Sequence, residues 1–453
     1  MTRRSHIRSD AAASLLVALA VVSTAWLGGG CGQQARQAGP SSRPKMTGAN
    51  MGGIKGLTGT MFNLAARSGH ITLPDGGSVF AWGYADVAGL MQYPGPTLIV
   101  NQGEEITVNL SNELPLPVSI VFPGHQVTAS SGSAGKLTME AAASGGTVSY
   151  SFRATHPGTY LYHSGTRPEL EVEMGLVGAI IVRPYAGAQH AYNHPMTRFD
   201  RENLFVLTEM DASVHEQVEA GNFDVDLSGW FPRYWFINGR GAPDTMAEDG
   251  APWLPHQPYS AMPRMHPGEK LLLRVVGAGR DLHPFHHHGN HARVLAVDGR
   301  LLESAPGAGP DLSHEVFTVQ SVPGETVDAI FEWTGKDLGW DIYGDPAQNH
   351  HACVDGNGDK LDDKTAEYCP DHGKKIPVDL PQQPALTFGE HWSGSPYLGT
   401  RGQLPPGQGK LNTTGAFTYM WHSHTEKEMT NDDIFPGGMM TMLFIEAPGE
   451  PID

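Results

Sequence analysis

Five histidines fall within nine residues in the stretch His283-Pro284-Phe285-His286-His287-His288-Gly289-Asn290-His291. Imidazole is the commonest metal-ligating side chain near neutral pH. In extended chain, residues two apart share a face, so His286 and His288 point one way and His287 the other. A second His-x-His lies far downstream at His422-Ser423-His424. Two such pairs, brought together by a fold, offer four nitrogen ligands to one or two transition metals. The bland alternative is a solvated histidine-rich turn, and the flanking sequence argues against it.

On the upstream flank, Pro267-Gly268-Glu269 opens a strand-like run from Lys270 to Val276, which leads through Gly277-Ala278-Gly279 into the histidines; Ala292 to Gly299 follows them. That order resembles the last cupredoxin domain of multicopper oxidases, where a His-Pro-x-His-x-His-Gly segment supplies three copper ligands. Members of that family end in His-Cys-His, then a histidine four residues on, then Gly-Met. Here the ending reads Trp421-His422-Ser423-His424, then Glu428, then Gly437-Gly438-Met439-Met440. Nearer the start, Tyr93 to Val100, Gly103-Glu104 with Ile106 to Leu110, and Pro157 to His163 are similar to strands of a family cupredoxin domain.

The resemblance implies a trinuclear cluster on four His-x-His pairs and a separate blue copper on two histidines and a cysteine. The first pair falls at Val121-Phe122-Pro123-Gly124 and is absent; His125 lies just beyond, out of register. The second keeps His163 and has Gly165 in place of its partner. The third, His286 and His288, and the fourth, His422 and His424, are intact. At the blue site His283 is retained, but Ser423 stands at the thiolate position and Glu428 where the second histidine belongs. A hydroxyl cannot give the Cu–S bonding that blue copper needs. The candidate metal ligands are therefore His283, His286, His288, His422, His424 and His163. Glu426 and Glu428 either accept from imidazole N–H groups or supply an oxygen ligand, or else belong to a charged surface turn. His287 and His291 read as outward or packing residues.

These residues need a scaffold. The chain has 453 residues and a formal net charge of −18, without basic clusters. That balance argues against nucleic acid or an anionic membrane surface as partner. Short β-like runs with Gly/Pro punctuation predict an all-β protein of two cupredoxin-like Greek-key β-sandwich domains. Domain 1 is expected at 56–184 and domain 2 at 200–449, with a loop insertion at about 344–408. No third cupredoxin is apparent, and two-domain relatives usually assemble as homotrimers. Residues 1–31 read as an export signal with Arg3-Arg4 and an apolar run from Ala11 to Leu27. Cys31 is either a lipid anchor or adjoins a plain cleavage site; residues 32–55 read as a flexible tether. The expected location is periplasmic or extracellular.

In that oxidising setting Cys353 and Cys369 are expected to form a disulfide. Between them lie Asp355, Asn357, Asp359 and Asp363. Alternating oxygen ligands with glycines suit calcium; the alternative is a solvated acidic loop. The functional expectation is a copper-dependent oxidoreductase at a histidine-ligated centre, taking a small-molecule reductant and an oxygen- or nitrite-like ligand. The alternatives are a non-catalytic copper-binding or sequestering protein, and a structural scaffold that binds a protein partner.

Overall fold

The computed structural model describes residues 53–336, 338–342, 351–374, 417–446 and 451–452. The export signal, most of the tether and much of the insertion lie outside the described residues.

Strands form where apolar and polar residues alternate. Glu105–Asn112 buries Ile106, Val108 and Leu110 and turns the residues between them outward, the period-2 pattern of a half-buried strand. It lies in a five-stranded sheet ordered Ser78–Asp86, Met61–Thr72, Glu105–Asn112, Thr147–Arg153, Val127–Ser130. A four-stranded sheet, Leu57–Thr58, Leu98–Asn101, Val177–Arg183, Gly158–His163, packs against it. Phe62, Val108, Phe152, Tyr162, Ile180 and Val182 meet in the space between.

A second pair of sheets repeats the plan. One runs Tyr234–Ile237, Arg201–Met210, Lys270–Gly277, Thr326–Glu332, Ala292–Val297, Arg300–Leu301, with His314–Val316 also paired to Ala292–Val297. The other runs Arg264–Met265, Met440–Ile445, Phe417–Ser423, His283–His287, Thr318–Ser321. Phe205, Leu273, Phe285, Phe331, Trp421 and Leu443 fill the core between them. The chain is thus all-β, as expected, with two β-sandwiches.

Val177–Arg183 is buried along its whole length, because its second face is covered too. Val177, Ala179 and Ile181 pack with Leu204, Val206, Phe236 and Val276 of the other sandwich. Beside that apolar seam a buried ionic network crosses the junction. Glu202 accepts from Arg183 and, at 2.9 Å, from Arg274; Arg274 also faces Asp328 at 3.4 Å. These side chains are nearly or fully removed from water, and the shared carboxylates keep each guanidinium paired. The seam holds the two sandwiches together and so fixes the platform on which the histidine strand is laid.

Candidate metal centre

The His283–His287 strand lies between Thr318–Ser321 and Phe417–Ser423. Its antiparallel register sets Phe285 opposite Ser423, His286 opposite His422, and His287 opposite Trp421. Directly opposed residues share a face of the sheet. One histidine from each predicted pair is therefore delivered to the same spot by backbone pairing alone. His288 follows just past the strand end and turns back to the same spot, with its Nε2 3.1 Å from Nε2 of His422.

The ligand nitrogens of His286, His288 and His422 all lie within 4.8 Å of one another, and all three side chains are buried. The His422 Nδ1–H donates to the Ser423 carbonyl at 2.7 Å, which leaves its Nε2 unprotonated and facing His288 Nε2. His286 is held through Nδ1 by the Thr318 hydroxyl at 2.8 Å, while its buried Nε2 has no hydrogen-bond partner. Burial, reinforced by the neighbouring imidazoles of His288, His422 and His424, pushes His286 down to about 3. Burial also lowers His422. Neutral imidazole is the metal-binding form. An orphaned buried nitrogen on His286 beside the paired Nε2 atoms of His288 and His422, at ligand spacing, fits a transition-metal ion such as copper. His424 stands at the rim, its ring centroid 4.8 Å from that of His286 and its Nδ1 3.5 Å from the exposed carboxylate of Glu426. The half-exposed Phe317 closes over His286 edge-on.

His283 departs from the expected ligand role. Its Nδ1 is 2.9 Å from Glu428 and its Nε2 2.8 Å from Glu209, so both nitrogens face carboxylates. Burial alone would lower its pKa, but the two hydrogen-bonded carboxylates outweigh it and raise it to about 9. Ser423, at the thiolate position, donates to Glu428 at 2.5 Å. The predicted blue-copper position is thus a closed Glu209–His283–Glu428–Ser423 hydrogen-bonded chain, and its residues do not fit a type 1 copper. Glu209 lies 74 residues upstream of His283, in a strand whose sequence reads as ordinary core, and no local signal marks it.

The other candidates fall elsewhere. His163 belongs to the N-terminal sandwich and, among the described residues, does not join the three-histidine cluster. Its Nδ1–H donates to the Ser164 carbonyl at 2.8 Å. His125 is a packing residue against Phe152 and Tyr160. His287 is likewise core, edge-on to Phe285 and Trp421, and His291 lies against Phe317. Glu428 is buried and Glu426 exposed, so the two glutamates part company.

Cys353 and Cys369 are joined by a disulfide. The calcium expectation finds no support. Asp355 accepts the N–H groups of Gly358 and Lys360, Asp359 that of Leu361, Asn357 that of Asp359, and Asp363 that of Gly356. The loop is a series of side-chain-capped turns, with its oxygens turned onto its own backbone.

Similarity to known proteins follows the same lines. A family model described as multicopper oxidase matches residues 81–187. A laccase of Aspergillus fumigatus is 35% identical over 261 residues, 53% of this chain and 40% of the laccase. An L-ascorbate oxidase of Cucurbita pepo var. melopepo is 29% identical over 161 residues, 33% of this chain and 27% of that enzyme. The chain therefore spans less than half the length of these relatives. Among solved structures, the blue copper oxidase from Nitrosomonas europaea superposes with a TM-score of 0.53 at 20% identity, covering 84% of this chain and 85% of its own. At that identity the likeness concerns the fold.

Proposed function

Because the chain belongs to the multicopper oxidase family of cupredoxin proteins, we propose that it is an exported copper-dependent oxidoreductase working at the His286–His288–His422 cluster, without a blue copper site. The observation that supports this most is the convergence of three buried imidazoles, with an orphaned Nε2 on His286 and the Nε2 atoms of His288 and His422 turned to one another beside it. Copper, when bound there, supplies one-electron redox chemistry.

The protein's own residues define the rest. The Ser423 carbonyl fixes the His422 tautomer, and Thr318 orients His286. Such outer contacts are commonly worth on the order of 10–100-fold in metal affinity. Ser423 offers no thiolate relay, so an electron donor docks against the cluster itself. His424 and Glu426 at the rim are placed to take or give a proton there. Phe317 limits water access. The proposal includes a periplasmic or extracellular site of action and a homotrimer in which His163 of the partner subunit approaches the cluster.

Metal content, electron paramagnetic resonance and turnover of a phenolic reductant test the reading together. The expected result is bound copper without intense blue absorption, with copper and turnover both lost in His286→Ala. A strong blue band, or copper content unchanged in His286→Ala, would overturn it. The loss of a histidine at Val121 and at Gly165 favours a second reading, a copper store. Tight Cu(I) binding with no turnover would select that reading.

A further inference from the structure

We propose a second metal site, in the disulfide-stapled insertion, where His351, Glu367 and His372 with Asp341 beside them hold a divalent ion of the zinc type. The ligand atoms of His351, Glu367 and His372 all lie within 4.8 Å of one another. Nε2 of His351 is 2.7 Å from one Glu367 oxygen, and Nδ1 of His372 is 2.6 Å from the other. Asp341 Oδ2 stands 3.3 Å from the same His372 nitrogen. Both carboxylates are buried, Glu367 at 1% exposure and Asp341 at 3%.

The contact between Glu367 and His372 is the informative one. Despite their 2.6 Å separation, Glu367 Oε1 and His372 Nδ1 make no hydrogen bond, and neither has another hydrogen-bond partner. The two atoms approach without the alignment that sharing a proton needs. Ligand atoms turned towards a common third centre have that relation. Zinc takes imidazole nitrogen and carboxylate oxygen at roughly 2.0–2.2 Å in a tetrahedral arrangement, which sets neighbouring ligand atoms about 3.4 Å apart, so the His351–Glu367 hydrogen bond and the Glu367–His372 contact would each open by under about 1 Å to admit the ion.

The covalent frame favours the same arrangement. His351 lies two residues before Cys353 and Glu367 two residues before Cys369, so the disulfide, with its Cα atoms 5.6 Å apart, brings the two ligands together. Asp341 is tied to the far end of the segment, because its N–H donates to the Lys374 carbonyl and its carboxylate accepts from Gly373. A metal here would tie Asp341 to the disulfide-bridged segment 351–374. Two imidazoles and two carboxylates, with no sulfur, match Zn²⁺ better than Cu(I), which prefers thiolate and thioether. The imidazoles also set the site apart from calcium, which takes oxygen. No ligand is shared with the His286 cluster, so the inference does not depend on the copper reading.

The experiment uses the full chain with its disulfide intact, stripped by chelator and dialysed against zinc alone. His286→Ala/His422→Ala first removes the other cluster. That variant is expected to retain about one zinc, and adding Glu367→Gln/His372→Ala is expected to weaken this binding by about 100-fold or more. Cobalt reports on the site without touching the insertion: the His286→Ala/His422→Ala protein should show the visible bands of tetrahedral Co²⁺. Absence of those bands, or zinc retention unchanged by Glu367→Gln/His372→Ala, overturns the proposal and leaves ordinary buried His–Glu pairs.

Discussion

Each sandwich carries a His-Ser pair at or just past a strand end and buries a glutamate that the serine hydroxyl reaches, yet only one surrounds that pair with imidazole. In the C-terminal sandwich the residues are His422, Ser423 and Glu428; in the N-terminal one they are His163, Ser164 and Glu171. The backbone registers agree as well. His286 is opposite His422, and Val121 is opposite His163. Three residues before His286 stands His283; three before Val121 stands the buried Val118. The N-terminal sandwich thus keeps the skeleton of the site with valines where the other has histidines. The difference separates what the fold supplies, which is the Ser–Glu pair and the opposed strands, from what the metal chemistry demands.

Without its imidazoles the same glutamate behaves differently. Glu428 meets His283, whose other nitrogen meets Glu209. Glu171 has Ser164 on one oxygen and no partner for the other. The largest expected effect therefore comes from His283→Val, which copies the N-terminal arrangement. It leaves Glu209 and Glu428 buried without a cation between them. Removing one member of a buried charged set costs about 3–5 kcal/mol, read as a fall in the denaturant midpoint. A loss below about 1 kcal/mol would break the comparison, since it would mean that His283 carries no charge.

The pH dependence sharpens it. Burial raises Glu171 from 4.5 to about 7, although the Ser164 hydroxyl opposes the shift. The folded carboxyl therefore holds a proton that the unfolded one releases, and stability is greatest below pH 4.5 and falls as pH rises through about 7. A shift of that size corresponds to about 3 kcal/mol. His283, raised from 6.5 to about 9, adds stability that is whole below pH 6.5 and fades as pH rises through 9. The two sandwiches thus weaken in successive windows. Stability measured against pH should lose its lower slope in Glu171→Gln and its upper slope in His283→Val. A Glu171→Gln curve parallel to the parent would overturn the assignment of the lower window.

Much of this was legible in the chain. Alternation in runs such as Glu105–Asn112 marks strands because a half-buried sheet has period 2, and the two His-x-His pairs announce a metal site. Other parts depend on register across distant strands. That Glu209 closes the second nitrogen of His283 follows from the packing of Arg201–Met210 under the histidine strand, and nothing in Phe205-Val206-Leu207-Thr208-Glu209 signals it. In the insertion, the acid-rich run has the composition of a calcium loop, whereas its oxygens cap their own turns. The residues that converge there, His351 and Glu367, flank the cysteines, where a fixed offset of two from each half-cystine was the available signal.

The smallest expected effect tests whether the N-terminal site can be rebuilt. His163, like His422, has an unprotonated Nε2, because its Nδ1–H donates to the carbonyl of the following serine. Val121→His would set an imidazole opposite it at the register of His286. Only two ligands would result, because the position matching His288 is Pro123 and that matching His424 is Gly165. The prediction is one additional weak metal equivalent, detectable by calorimetric titration with Cu²⁺ or Ni²⁺ after the C-terminal cluster is removed by His286→Ala/His422→Ala. Gly165→His alone should not achieve it. A Cβ built at Gly165 comes within 2.6 Å of Val121 Cγ1, so the valine blocks the position that the second histidine needs. The two substitutions together should therefore bind more tightly than the sum of their separate effects, since residues in direct contact do not act additively. Additive behaviour would mean that Val121 and Gly165 are independent, and that the missing histidines of this sandwich are not sterically linked.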